Sequence, residues 1–140
     1  MLHQDYLMRM ILALAQAITN SIEKTKNNEK DWEASAELLE ATLTNATEID
    51  GSLLLQLDAQ SMTGLLQLSQ TDPVAIEYIA RTLLLESEYL TKAHKPALAS
   101  LREEQALTLA NAYDIPLSKE DLSPENLECF FERTQEKYRS

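Results

Sequence analysis

The chain has 140 residues with a formal net charge of −11, and it contains two glycines, four prolines and one cysteine. That length suits one domain with a real core. So few glycines and prolines argue against a turn-rich β sandwich or barrel, and one cysteine rules out an intramolecular disulfide or a multi-cysteine zinc site. We predict a single all-α domain over residues 1–140, with five to seven helices arranged as successive antiparallel hairpins.

The negative charge is concentrated in the middle of the chain. Residues 31–80 contain nine acidic residues and no lysine or arginine. Nucleic acids and anionic membrane surfaces are bound by clustered lysines and arginines, so we predict no nucleic-acid partner and no membrane partner. The first interpretation of the acidic stretch is a solvated face, and the alternative is a surface that attracts a basic partner.

The N-terminal segment contains an apolar run, Met10–Ala15, that resembles the core of a secretory signal. Asp5 lies where a signal peptide is basic, and the apolar positions continue in helical register at Ile18 and Ile22. The run is also too short to cross a bilayer, which takes about 20 residues. We therefore predict a helix of the folded domain and a cytoplasmic protein.

Two amphipathic helices are predicted within an N-terminal hairpin, residues 1–48. The first runs from about Gln4 to Lys26, and its apolar residues recur at three- and four-residue steps. These residues are Leu7, Ile11, Leu14, Ile18 and Ile22. The second runs from Glu29 or Asp31 to Thr47 with a narrow apolar seam of Trp32, Ala36, Leu39, Leu43 and Ala46. Trp32 is predicted to pack in the core between the two helices.

The first helix is apolar over a wider arc than one buried face requires. Met8, Leu12 and Ala15 form a second stripe beside the first. A helix of this kind is central in its fold or shared with another chain, because large exposed apolar patches are unusual on monomers. We take Met8, Leu12 and Ala15 as a candidate interface of a two-fold homodimer. The alternative is that the last helix folds back and covers this stripe.

Short helices are predicted over residues 52–69, after a break at Gly51. Leu53–Leu57 is an almost continuous apolar patch, and a buried strand there is disfavoured because no partner strand is visible. Asp58 is a suitable N-cap for a helix that ends near Ser69. The residues of that helix predicted to face inward are Met62, Leu65, Leu66 and Leu68.

Residues 72–113 are predicted to form a second hairpin, followed by a C-terminal helix over residues 123–138. Asp72 and Pro73 begin a helix that ends near His94. Pro96 begins the next helix, which ends near Tyr113 with Leu98, Leu101, Gln105, Leu109 and Ala112 along one side. The C-terminal helix carries Leu127, Phe130, Phe131, Thr134 and Tyr138.

The second hairpin resembles a degenerate tetratricopeptide repeat. Residues 76–102 read IEYIARTLLLESEYLTKAHKPALASLR, with Ser87 as the small residue at the helix crossing and Ala99 and Ala106 at matching positions on the second helix. The opening segment Asp5–Ile11 resembles a family of small uncharacterised bacterial proteins that also carry such a hairpin. The resemblance spans most of the chain. It implies a tetratricopeptide-like helical fold, no known activity and no functional residue.

Patterns that suggest catalysis or metal binding are incomplete. Glu37 and Glu40 have the spacing of a carboxylate metal site, but no Glu-x-x-His pair accompanies them. Both are predicted to face water, together with Glu33. The Ser21-x-x-Lys24 pattern of acyl-serine enzymes lacks its companion motifs. Cys129 has acidic neighbours that oppose thiolate formation and is predicted to be a small packing residue.

The sequence therefore predicts a non-enzymatic helical protein–protein interaction module of unknown pathway, with no catalytic residue, metal or cofactor. Its partner would be an unidentified protein or peptide, and the acidic stretch would suit a basic one. One alternative is a self-associating structural or regulatory protein that uses the first helix as its dimer interface. Another is a small-ligand binder or enzyme, which a deep pocket with convergent polar groups would favour.

Overall fold

The structure is a computed structural model that describes residues 2–26, 31–46 and 51–137. Within these ranges every regular element is helical, which confirms the predicted all-α class. The helices are α1 Leu2–Lys26, α2 Trp32–Ala46, the single turn α3 Gly51–Leu54, α4 Ala59–Leu68, α5 Pro73–Lys92, α6 Pro96–Ala112 and α7 Pro124–Lys137. A 3₁₀ turn, Lys119–Leu122, lies between α6 and α7. The predicted contribution of Tyr138 lies outside the described residues.

Aspartate N-caps fix the starts of three helices. Asp31, Asp58 and Asp72 each accept a hydrogen bond from a backbone N–H in the first turn of α2, α4 and α5. Such a side-chain acceptor satisfies a donor that has no partner within the helix. The predicted starts at Asp58 and at Asp72-Pro73 are therefore confirmed.

Helices α4, α5 and α6 end at non-glycine residues with positive φ. These residues are Gln70 at 55°, His94 at 62° and Asp114 at 55°. In each case the next amide donates to a carbonyl five residues earlier, the hydrogen bond of a Schellman motif. His94, one of only two histidines, thus has a backbone role at the tight turn between α5 and α6.

The central helix of the bundle is α5. Fourteen of its twenty residues are buried, and it packs against α1, α2, α6 and the 3₁₀ turn. Helices α5 and α6 are antiparallel, because Glu86 and Arg102, each eight residues from His94, are hydrogen-bonded to each other. Helix α1 packs against α2 and α5 and leaves an outer face that includes Leu12. The wide apolar arc of α1 therefore does not make it the central helix.

Three side chains are more exposed than predicted, because of their positions on their helices. Trp32 is half-buried rather than a core residue, at the first residue of α2, and its ring centroid lies 5.9 Å from that of Tyr89 on α5. Leu68 is 83% exposed, since it points away from the face that carries Leu66. Cys129 is exposed rather than packed, since α7 buries its other side.

Candidate functional site

A groove of about 360 Å³ lies between α1 and α7. Its floor is formed by buried side chains from α1, α5 and α7: Ala15, Ile18, Tyr78, Leu127 and Phe130. All of these are apolar or aromatic, and the one hydroxyl among them, that of Tyr78, is already hydrogen-bonded within the protein. The floor therefore offers hydrophobic contact rather than a set of convergent polar groups.

The walls and rim of the groove are open to solvent. Ile22 on α1 and Phe131 on α7 are half-buried along the walls, and Thr19, Glu23 and Glu128 are exposed at the rim. Among the residues that the structure describes, the two charged residues that line the groove, Glu23 and Glu128, are carboxylates. The groove is thus an apolar surface bordered by negative charge.

Side chains of α7 are anchored on α5 beside the groove. The hydroxyl of Tyr78 donates to Thr134 Oγ1 at 2.9 Å, and the ring centroids of Tyr78 and Phe130 are 4.4 Å apart. The guanidinium of Arg81 lies 4.0 Å from the Phe130 ring centroid, within range of a cation–π interaction. These contacts attach α7 to α5, and the space between α7 and α1 is the groove.

Of the predicted interface residues Met8, Leu12 and Ala15, only Ala15 lines this groove. Residues 8, 12, 15, 19 and 23 follow one another at three- and four-residue steps and so share one helix face. Leu12 is 42% exposed, Met8 is half-buried, and Ala15 is buried in the groove floor. The sequence therefore indicated Ala15 on the α1 side and, as the alternative to a dimer, the approach of the last helix to this stripe, but not the open groove between the two helices.

A row of exposed carboxylates borders the groove on α7. Glu125, Glu128 and Glu132 are separated by three and four residues, so they share a face, and Glu128 lines the groove. None of the three has an ion-pair partner among the side chains that the structure describes. Like charges at this spacing repel one another, so the row is a strongly negative edge.

The acidic stretch of residues 31–80, by contrast, is largely used within the fold. Three of its aspartates are the helix caps described above. Three of its glutamates form ion pairs: Glu33 with Lys95 at 2.6 Å, Glu40 with Arg102 at 2.6 Å and Glu77 with Arg81 at 3.1 Å. The carboxylates beside the groove therefore lie on α7 and, with Glu23, on α1, and not in the acidic stretch of residues 31–80.

A second polar cluster is buried on the other side of α5, around Arg102. This side chain is only 4% exposed. Its Nε donates to Glu86 Oε2 at 2.9 Å, its Nη2 to Glu40 Oε1 at 2.6 Å, and its Nη1 to the Leu55 carbonyl at 2.7 Å and Gln105 Oε1 at 3.0 Å. Glu40 keeps 41% of its side chain exposed, as predicted, while its Oε1 reaches the buried guanidinium of Arg102.

The cluster around Arg102 holds neighbouring segments of the fold together. The Gln105 amide donates to the Leu55 carbonyl at 3.0 Å and the Leu57 carbonyl at 2.8 Å, which ties the segment between α3 and α4 to α6. Burial raises the pKa of Glu86 from 4.5 to about 7, although Arg102 opposes the shift. Glu86 is 1% exposed and one of its oxygens, Oε1, has no hydrogen-bond partner. Neither Glu86 nor Arg102 reaches a surface where a substrate could meet it.

The other residues considered for chemistry do not form a catalytic group. Ser21 is buried, donates to the Ile18 carbonyl at 2.8 Å and is hydrogen-bonded to the Tyr89 hydroxyl at 3.0 Å, so it is not accessible as a nucleophile. Within the described ranges, no three or more His, Cys, Asp or Glu side chains form a group that could hold a metal ion. In the same part of the chain, no helix is long and apolar enough to span a membrane.

Comparison with known proteins gives no relative: no protein-family model, no curated protein and no solved structure matches this chain. Any functional conclusion therefore depends on the two features described above, the groove between α1 and α7 and the buried cluster around Arg102. Of these, only the groove is open to another molecule.

Proposed function

We propose that this chain is a non-enzymatic, cytoplasmic protein–protein interaction module and that the groove between α1 and α7 is its docking surface. The observation that carries the proposal is the apolar floor of the groove, which is open along its rim. An apolar groove that is open to solvent often marks a binding site. The tetratricopeptide-like character of the α5–α6 hairpin is part of the same proposal, and the burial of Ser87, Ala99 and Ala106 supports it.

Site-specific photo-crosslinking in cells that make the protein tests this proposal. A photoreactive residue replaces Thr19, an exposed rim residue whose hydroxyl bonds only to the Ala15 carbonyl of its own helix, or Glu128 on the opposite rim. The control position is Ser100, which is exposed on α6. We expect the same discrete crosslinked protein from both rim positions and not from Ser100. The absence of such a product, or an equal yield from Ser100, would contradict the proposal.

The second candidate function is self-association through the outer face of α1, which the exposure of Leu12 favours. A Leu12→Glu substitution places a charge on that face without disturbing a buried side chain. If the candidate is right, the wild type sediments as a dimer at roughly tens of micromolar, as expected for an interface of standard size, and Leu12→Glu is a folded monomer. The matched control is Leu107→Glu, since Leu107 on α6 is exposed to a similar extent. A monomeric wild type rejects this candidate.

A further inference from the structure

We infer that the occupant of the groove is an amphipathic helix that carries lysine or arginine along one edge. This inference rests on the proposed function and specifies its partner by chemistry. The argument has two parts: the length and character of the apolar strip, and the position of the unpaired carboxylates on α7.

The apolar strip has the dimensions of a helix-binding site. On α1 the groove is lined from Ala15 to Glu23, about 12 Å at 1.5 Å per residue. Leu12 and Met8 continue the same helix face beyond the groove, so the apolar face from Met8 to Ile22 is about 21 Å long. Helices that dock in grooves insert large side chains at positions i, i+3 or i+4 and i+7. The buried floor and the half-buried walls at Ile22 and Phe131 offer hydrophobic contact for such side chains.

The charge along the groove selects a cationic helix edge. Glu125, Glu128 and Glu132 repel one another, and lysines or arginines of an occupant placed beside them would relieve that repulsion and add attraction. Glu23 adds a fourth carboxylate on the α1 rim. No described helix of this chain presents three lysines or arginines along one edge, so a second copy does not supply this occupant.

Two synthetic peptides of about 15 residues, the length needed for a marginally stable helix, test the inference. Both carry the same leucine stripe, and the edge beside it holds three lysines in one peptide and three glutamates in the other. Each carries a neutral fluorophore for binding measured by anisotropy. We expect the lysine peptide to bind about tenfold or more tightly than the glutamate peptide, since three ion pairs replace three repulsions. This preference should shrink as salt is added.

Variants of exposed residues locate the binding site. Thr19→Trp fills the rim of the groove and is expected to weaken lysine-peptide binding about tenfold, whereas the control Ser100→Trp leaves it unchanged. A triple variant, in which lysine replaces each of Glu125, Glu128 and Glu132, is expected to reverse the preference, so that the glutamate peptide binds more tightly. Circular dichroism checks that each variant is folded.

Several results would overturn the inference: no binding of either peptide, equal binding of both, or binding that Thr19→Trp leaves intact. These failures are distinguishable from failure of the proposed function. A protein crosslinked from Thr19 and Glu128 without any binding of the lysine peptide rejects the basic helix while the interaction module stands. If neither a crosslinked protein nor peptide binding is found, both proposals are rejected.

Discussion

Replacing Arg102 with methionine is expected to lower the free energy of unfolding by about 3–5 kcal/mol at pH 8. Methionine fills similar space but has no donor for Glu86 Oε2, Glu40 Oε1 or the Leu55 carbonyl. Removing one partner of a buried ion pair costs this much, because the other charge stays buried without compensation. Since a domain of this size is stable by about 5–15 kcal/mol, the loss is a large fraction of the total.

Urea unfolding of three variants measures this effect. Arg102→Met is compared with Arg133→Met, which removes an exposed arginine on α7 and should change stability by less than about 0.5 kcal/mol. A double variant, Arg102→Met with Glu86→Met, removes both buried charges and should recover about 2 kcal/mol or more of the loss, because apolar replacements of buried ion pairs are often neutral. A loss below about 1 kcal/mol in Arg102→Met, or no recovery in the double variant, would show that the cluster contributes little.

Helix α5 links the buried cluster to the groove. Tyr78 in the groove floor and Glu86 in the cluster are eight residues apart on this helix, about 12 Å along its axis. The cluster fixes α5 against α2 and α6, while Tyr78 and Arg81 fix α7 against α5. The position of α7 beside α1 therefore depends on α5, and residues about two turns apart on this helix serve stability and docking.

Local features of the fold could be predicted from the sequence because they depend on residues close in the chain. The caps at Asp58 and Asp72 and the apolar seams of α1 and α2 follow from neighbouring residues and from helical periodicity. Arg102 could not be predicted in this way, because an isolated charged residue in a helix is expected to face water. A usable signal was present, since Glu86 and Arg102 are equally distant from the predicted turn at His94 and so face each other across an antiparallel hairpin.

The groove was predicted only in part because its two sides are brought together by distant contacts. Met8, Leu12 and Ala15 were identified from the periodicity of one helix. The α7 side depends on the hydrogen bond between Tyr78 and Thr134, which are 56 residues apart, and nothing in the local sequence of either indicates the other. Composition also directed attention to residues 31–80, whose carboxylates are mostly caps and ion-pair partners, rather than to the acidic row on α7.

The pH dependence of stability gives the second large expected effect, through Glu86. Burial raises the pKa of this carboxyl to about 7 in the folded protein, with Arg102 on α6 lowering it and Glu40 on α2 raising it, whereas 4.5 is its usual value. Between these two values the folded protein holds a proton that the unfolded chain has released. The contribution of Glu86 to stability is therefore greatest below about pH 4.5 and declines as the pH rises to about 7, by up to about 1.4 kcal/mol per pH unit.

Glu86→Gln isolates this contribution, because glutamine keeps an acceptor for Arg102 Nε and cannot ionise. The buried cation of Arg102 is not left without a counter-charge in this variant, since it still pairs with Glu40. Unfolding by urea is measured for the wild type and the variant from pH 5 to pH 8. We expect similar stabilities near pH 5 and a variant more stable than the wild type by roughly 2 kcal/mol at pH 8. Glu128→Gln, which changes an exposed carboxyl, is the control, and its free energy of unfolding should change with pH as that of the wild type does. If the free energies of unfolding of Glu86→Gln and the wild type differ by the same amount at every pH, the prediction is contradicted. Glu86 would then ionise as readily in the folded protein as in the unfolded chain, because the charge of Arg102 would compensate fully for the burial of Glu86.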